Sequence, residues 1–178
     1  KMKKFLLVIT VIACTHINTF GQQGSSPDSL VVRAMQKLSW LKGNWTGDGW
    51  VNTKSEQILF SQSQSVLSKV KGAVIMIEAT VLNKTVANVT NESLAVISYD
   101  MYSHKYLMRS FKSDGRYVDA NVEVKPDGTF IWSFQVAELS PEIRYTIKLV
   151  NNKWYETGEF SINGTTWTKF YEMTLSKM

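Results

Sequence analysis

Four turn signals do most to limit what this chain can fold into: Ser113-Asp114-Gly115, Pro126-Asp127-Gly128, Asn151-Asn152 and Asn163-Gly164. Each places residues that tolerate a left-handed backbone, or a proline preset for a corner, between stretches of alternating apolar and polar residues. Stretches joined in this way read as hairpins. Extending the reading along the chain gives ten strands, at about 44–53, 56–67, 73–82, 93–100, 105–112, 116–125, 128–137, 142–150, 153–161 and 165–175. Short connections make the chain a meander, and a long antiparallel meander loses its exposed edges by closing on itself. The expected fold is all-β: a ten-stranded antiparallel up-and-down barrel with one N-terminal helix.

The helix is expected in LVVRAMQKLSWL, residues 30–41. Leu30, Ala34, Lys37, Leu38 and Leu41 recur there at helical spacing, with Asp28 or Ser29 as cap and Gly43 as stop. Residues 1–21 read as an export signal, in which Lys3 and Lys4 precede an apolar run, Phe5 to Ala13, too short for a membrane span. Two cleavage readings are open. Thr19-Phe20-Gly21 before Gln22 suits a type I signal peptidase, whereas Val11-Ile12-Ala13-Cys14 resembles a lipobox that would lipidate Cys14 and anchor the protein to a membrane. The expected organisation is a signal at 1–21, a segment and helix at 22–42 and a barrel domain at 43–178. The protein is then periplasmic or secreted, or anchored through Cys14.

The chain carries a formal charge of +5, but residues 1–21 hold three lysines and no acid, which leaves +2. Without a basic stripe no nucleic-acid partner is expected. Cys14 is the one cysteine, and His104 is the one histidine after Gly21. That inventory excludes disulfides and a Cys/His zinc site from the mature chain and leaves almost nothing for Cys- or His-based nucleophilic chemistry. No metal or cofactor is expected. Sequons at Asn44, Asn83, Asn88, Asn91 and Asn163 read as turn and strand composition beside a bacterial-looking signal. No feature bears on oligomeric state.

Turn geometry assigns side chains to faces. A two-residue Asn151-Asn152 turn pairs Leu149 with Trp154, so Ile143, Tyr145, Ile147 and Leu149 share a face with Trp154, Glu156, Gly158 and Phe160. The Asn163-Gly164 turn, read alike, pairs Phe160 with Trp167 and adds Trp167, Lys169, Tyr171 and Met173. A bulged turn at Gly128 sets Val118, Ala120, Val122 and Val124 on the face of Phe130, Trp132, Phe134 and Val136. This aromatic face is the expected interior. Glu156 goes in with it, opposite Tyr171 and diagonal to Lys169. The two charges mark either a polar anchor in an aromatic pocket or groups that meet water near a mouth.

Arg109 depends on one turn: a bulged Ser113-Asp114-Gly115 turn sets it outward opposite Asp119, and a two-residue Asp114-Gly115 turn sets it inward with Leu107 and Phe111. Glu78 is expected outward, because Ile75, Ile77, Ala79 and Val81 form the better apolar face. His104 is expected in an exposed turn.

The stretch LKGNWTGDGW, residues 41–50, adds a resemblance. A short helix followed by Gly43-x-Trp45 at the head of the first strand resembles the lipocalins and their calycin relatives, in which the tryptophan closes one end of the barrel under the helix. The resemblance makes Trp45 that plug, lets Gly47 and Gly49 curve the strand sharply, and makes the barrel lipocalin-like. Gly43-x-Trp45-x-Gly47-x-Gly49 is also similar to the opening of nitrobindin-type haem barrels, which implies an iron-ligating histidine late in the chain. Residues 153–178 contain none. The order WLKGNWTGDG, ISYDMYSHKYLMRSF, IWSF, KWYETGEFS and WTKFYEMTL resembles uncharacterised secreted bacterial lipocalin-like proteins, which implies a fold and no activity.

The expected function is binding of a small apolar or amphipathic molecule inside the barrel. Trp132, Phe134, Tyr145, Trp154, Trp167 and Tyr171 would form the wall, while Glu156, Lys169 and an inward Arg109 would orient a polar head. A cofactor-free enzyme would use Glu156 as acid or base with Lys169 or Tyr171 stabilising charge, and would need a perturbed Glu156 pKa. An envelope interaction protein would have a solid barrel and an exposed apolar patch, to which Leu59 and Phe170 would contribute outward side chains.

Overall fold

The computed structural model describes residues 26–135, 137 and 141–178. The export-signal, Gln22 and Cys14 readings and the inward placement of Val136 lie outside the described residues. Asp28 caps α1 (Ser29–Gln36), its side chain accepting from the Leu30 amide at 2.6 Å. The helix ends sooner than its apolar spacing predicts. The chain turns at Lys37 and Leu38, and one 3-10 turn over Ser39–Leu41 leads to Gly43. Ala34, Met35, Leu38 and Leu41 are buried against the barrel.

Ten strands follow: β1 (Gly43–Asn52), β2 (Gln57–Lys69), β3 (Val74–Asn83), β4 (Asn88–Asp100), β5 (Lys105–Lys112), β6 (Tyr117–Val124), β7 (Phe130–Gln135), β8 (Glu142–Val150), β9 (Lys153–Ser161) and β10 (Thr168–Lys177). Each pairs antiparallel with its chain neighbours, and β1 pairs with β10 to close the barrel. The fold is thus the expected ten-stranded up-and-down barrel with a single helix.

The turns set the registers. The Lys125 amide donates to the Thr129 carbonyl at 2.9 Å with Gly128 at φ +84°, which places Val122 opposite Trp132 and Val124 opposite Phe130. Asn151 and Asn152, at φ 50° and 61°, form the two-residue turn that sets Leu149 opposite Trp154. Between β5 and β6 the Lys112 amide donates to the Arg116 carbonyl at 2.9 Å, with Gly115 at φ +83°. That is the bulged form of the turn.

The β9–β10 register differs from expectation. The Asn163 side chain accepts from the amides of Thr165 and Thr166 at 3.0 and 2.8 Å, closing a longer loop in place of a two-residue turn. Consequently Thr168, not Trp167, lies opposite Phe160. The register then shifts between Lys169, opposite Glu159, and Tyr171, opposite Gly158. This bulge at Phe170 reverses which residues face inward. Trp167 and Lys169 lie outside, Tyr171, Met173 and Leu175 lie inside, and Met173 rather than Tyr171 is opposite Glu156. Phe170, expected outward, packs against Tyr145 and Phe160 with ring centroids 5.9 and 6.2 Å apart.

One end of the barrel is plugged. Trp45, 1% exposed, donates from its indole to the Leu41 carbonyl at 2.7 Å and meets Trp154 edge-on at 5.7 Å. Leu38, Leu41, Val66, Ile75, Ile97, Phe130, Ile147 and Leu175 complete a continuous buried core beneath α1. The Tyr106 hydroxyl, donating to the Ala34 carbonyl at 2.7 Å, fastens the helix to β5. Gly47 lies so close to β10 that a Cβ there would sit 2.1 Å from the Thr174 carbonyl oxygen. Glycine is needed in β1 for that approach.

Candidate functional site

The other half of the interior is built differently. An aromatic belt crosses it from β2 to β7. Phe60 stacks on Tyr171 at 5.4 Å, Tyr171 meets Tyr145 edge-on at 5.5 Å, Tyr145 stacks on Trp132 at 4.3 Å, and Trp132 stacks on Phe134 at 5.7 Å. Gly158 makes room for it, because a Cβ there would lie 2.8 Å from the Tyr145 ring and 2.9 Å from Tyr171. The wall from β3 to β6 carries small inward side chains at Ala79, Ser93, Ala95, Ser110 and Ala120. Trp132, Phe134, Tyr145 and Tyr171 face inward yet stay partly exposed, so space large enough for water reaches them. At the mouth a cavity of about 510 Å³ is lined by Ile143, Phe160 and Phe170, with Lys54 and Lys169 among the residues around it.

Glu156 lies one inward position beyond Gly158 along β9, between Ile147 and Met173 on the flanking strands. It is 6% exposed, and one carboxylate oxygen accepts from the Trp154 indole at 2.9 Å. Burial pushes its carboxyl up to about 7, against the opposing pull of the Trp154 hydrogen bond. Burial first, and the Glu156 charge second, hold the Tyr145 and Tyr171 hydroxyls above the ordinary phenol range. Among the described residues no Lys or Arg forms an ion pair with Glu156. Its expected neighbour Lys169 pairs outside with Glu172 at 2.7 Å.

The remaining expected site residues separate by face. Trp154, 2% exposed, belongs to the plugged end and reaches the site through its bond to Glu156. Arg109 lies outside, held by Asp119 at 2.5 and 2.6 Å, because the bulged turn sets the register of β5 on β6. Trp167 lies outside under the Arg144 guanidinium, 3.8 Å from its ring centre, and Arg144 also pairs with Glu159 at 2.8 Å. Glu78 and His104 are exposed, as expected.

Two inward polar residues escape the sequence reading. Gln62 and Gln64, 9% and 6% exposed, are joined by a 3.0 Å hydrogen bond, and the Gln64 amide nitrogen has no partner among the described residues. Their signal was the alternation Phe60, Gln62, Gln64, Val66, hidden because the intervening residues are serines.

The haem that a nitrobindin-type resemblance implies does not fit these residues. Among the described residues the barrel interior offers carboxylate, phenol, hydroxyl, amide and thioether donors but no imidazole or thiolate. His104, the one histidine among the described residues, sits exposed in the β4–β5 turn at φ 55°.

A closed ten-stranded barrel, plugged at one end and lined with aromatics toward the other, is an architecture compatible with ligand-binding barrels. Neither a family model nor a curated protein matches the chain. Among solved structures, Rv2717c from M. tuberculosis is similar, with a TM-score of 0.60 at 9% identity, over 82% of this chain and 97% of that one. At that identity the likeness is one of fold alone.

Proposed function

We propose that the protein is an exported, lipocalin-like barrel that binds a small amphipathic molecule in the half of its interior away from α1. The observation that carries this reading is the aromatic belt, whose inward side chains keep partial exposure above a plugged floor. Trp132, Phe134, Tyr145 and Tyr171 supply apolar wall, and Glu156 supplies a polar point at its base. Native mass spectrometry of the gently purified protein, beside a denatured control, tests it. A discrete adduct lost on denaturation supports the proposal. A clean apo mass, together with no binding across a panel of amphipaths, overturns it.

A second reading rests on Glu156 alone. A carboxyl near 7 is suited to proton transfer at neutral pH, with the Tyr145 and Tyr171 hydroxyls beside it. It would be established if Glu156→Gln abolished turnover of a bound compound while leaving its affinity intact.

A further inference from the structure

The charge inside the barrel selects among ligands, given the binding reading above. Among the described residues Glu156 is the one acid facing the interior, and the cations of the nearby strands point away: Arg109 to Asp119, Arg144 to Glu159 and Lys169 to Glu172. Its one described hydrogen bond comes from the Trp154 indole, and no described residue donates to its second oxygen. A buried carboxylate without a cation is costly, and that cost falls when a cation arrives with the ligand. Beside it stand Tyr145 and Tyr171, one face of each stacked on a neighbour, Trp132 and Phe60 respectively, and aromatic rings attract cations through their quadrupoles. Among the described residues the lysines nearest the belt, Lys54 and Lys169, lie at the mouth, so a carboxylate head seated at Glu156 would meet a like charge without a positive partner.

We infer that the barrel selects cationic amphipaths, namely amines whose ammonium pairs with Glu156 and whose apolar part lies along the aromatic belt. An alcohol of the same chain would gain the apolar contact and lose the ion pair. The titratable groups that face Glu156 are Tyr145 from β8 and Tyr171 from β10, both held above the ordinary phenol range. Near pH 8 the carboxyl is therefore the one group there that carries charge.

Calorimetric titration with decylamine, decanol and decanoate, each below its aggregation threshold and near pH 8, tests the inference on the intact protein. Decylamine is expected to bind about tenfold or more tightly than decanol, with decanoate weakest. Glu156→Gln should abolish the advantage of decylamine over decanol, so that the two bind alike. Equal affinity for amine and alcohol, or a preference for decanoate, overturns the inference and leaves the binding pocket standing. Binding by none of the three overturns both. Because the three-ligand comparison is made on the unaltered protein, it decides the matter even if the variant fails to fold.

Discussion

Both halves of the barrel interior carry large aromatics, and they reach opposite outcomes. At the plugged end Trp45 and Trp154 are 1% and 2% exposed, while across the belt Trp132 and Tyr145 stay partly open. The strands alone do not make this difference. Helix α1 and its 3-10 turn add Met35, Leu38 and Leu41 to one end, and among the described residues no helix covers the other. The space against the belt also follows from side-chain volume. Alanines and serines face it from β3 to β6, where the plugged end has Ile75, Ile97 and Met108. A ring of ten strands is wide enough to remain partly empty unless something is inserted into it.

The sharpest way to break this comparison is to open the plugged end. Trp45→Ala removes a fully packed indole and its bond to Leu41, and should cost about 3–5 kcal/mol in urea unfolding. A cost near that of a surface change would mean the plug is not the main core.

Next in size is the boundary between the halves. The Glu156 carboxyl is raised from 4.5 to about 7, so the folded state holds this proton more tightly than the unfolded chain does. Its contribution is full below about 4.5 and is lost as pH rises through about 7. Glu156→Gln keeps an acceptor for Trp154 and cannot ionise. It should gain roughly 3 kcal/mol over the parent at pH 8 and little at pH 4.5, seen as a difference between paired urea titrations. A variant less stable than the parent at pH 8 would show that the charge is compensated.

Within the belt, Trp132→Ala should cost only about 1–2 kcal/mol, since the indole is already partly exposed. It should weaken ligand binding more than Trp45→Ala does among molecules that remain folded. A cost equal to that of Trp45→Ala would make the two halves one core. The smallest effect is expected outside. Arg109→Ala breaks an exposed pair with Asp119 and should move neither the thermal midpoint nor ligand affinity.

Much of this was readable wherever a turn has one solution. The Pro-Asp-Gly and Asn-Asn turns each demand a particular backbone, so the faces of β6 to β9, and Glu156 among them, followed from counting residues. Arg109 was undecidable because Asp114-Gly115 satisfies two turn types, and only the hydrogen bond from Lys112 to Arg116 separates them. Asn163-Gly164 misled for a different reason. The Asn163 side chain bonds two amides beyond it, and a bulge at Phe170 then restores the inward phase for Tyr171 and Met173. Tyr171 was therefore placed inside correctly from a wrong register, and Trp167, Lys169 and Phe170 were placed on the wrong faces. A bulge is set by strand curvature and packing, which no local pattern of residues records.

The pairing of β1 with β10 has a consequence for folding kinetics. Every other contact in the ring joins strands adjacent in sequence, and this one brings Trp45 opposite Lys177 across the whole barrel. Hairpins form by closing short loops, whereas the seam must wait for the chain ends to meet, which is slow and entropically costly. Gly47 lies on that seam, against the Thr174 carbonyl. If the seam closes after the rate-limiting barrier, Gly47→Ala will speed unfolding and leave the refolding rate unchanged in stopped-flow experiments. Slower refolding would instead put ring closure inside the nucleus. On the first outcome the molecule assembles as a row of hairpins and becomes a ring only in its last step.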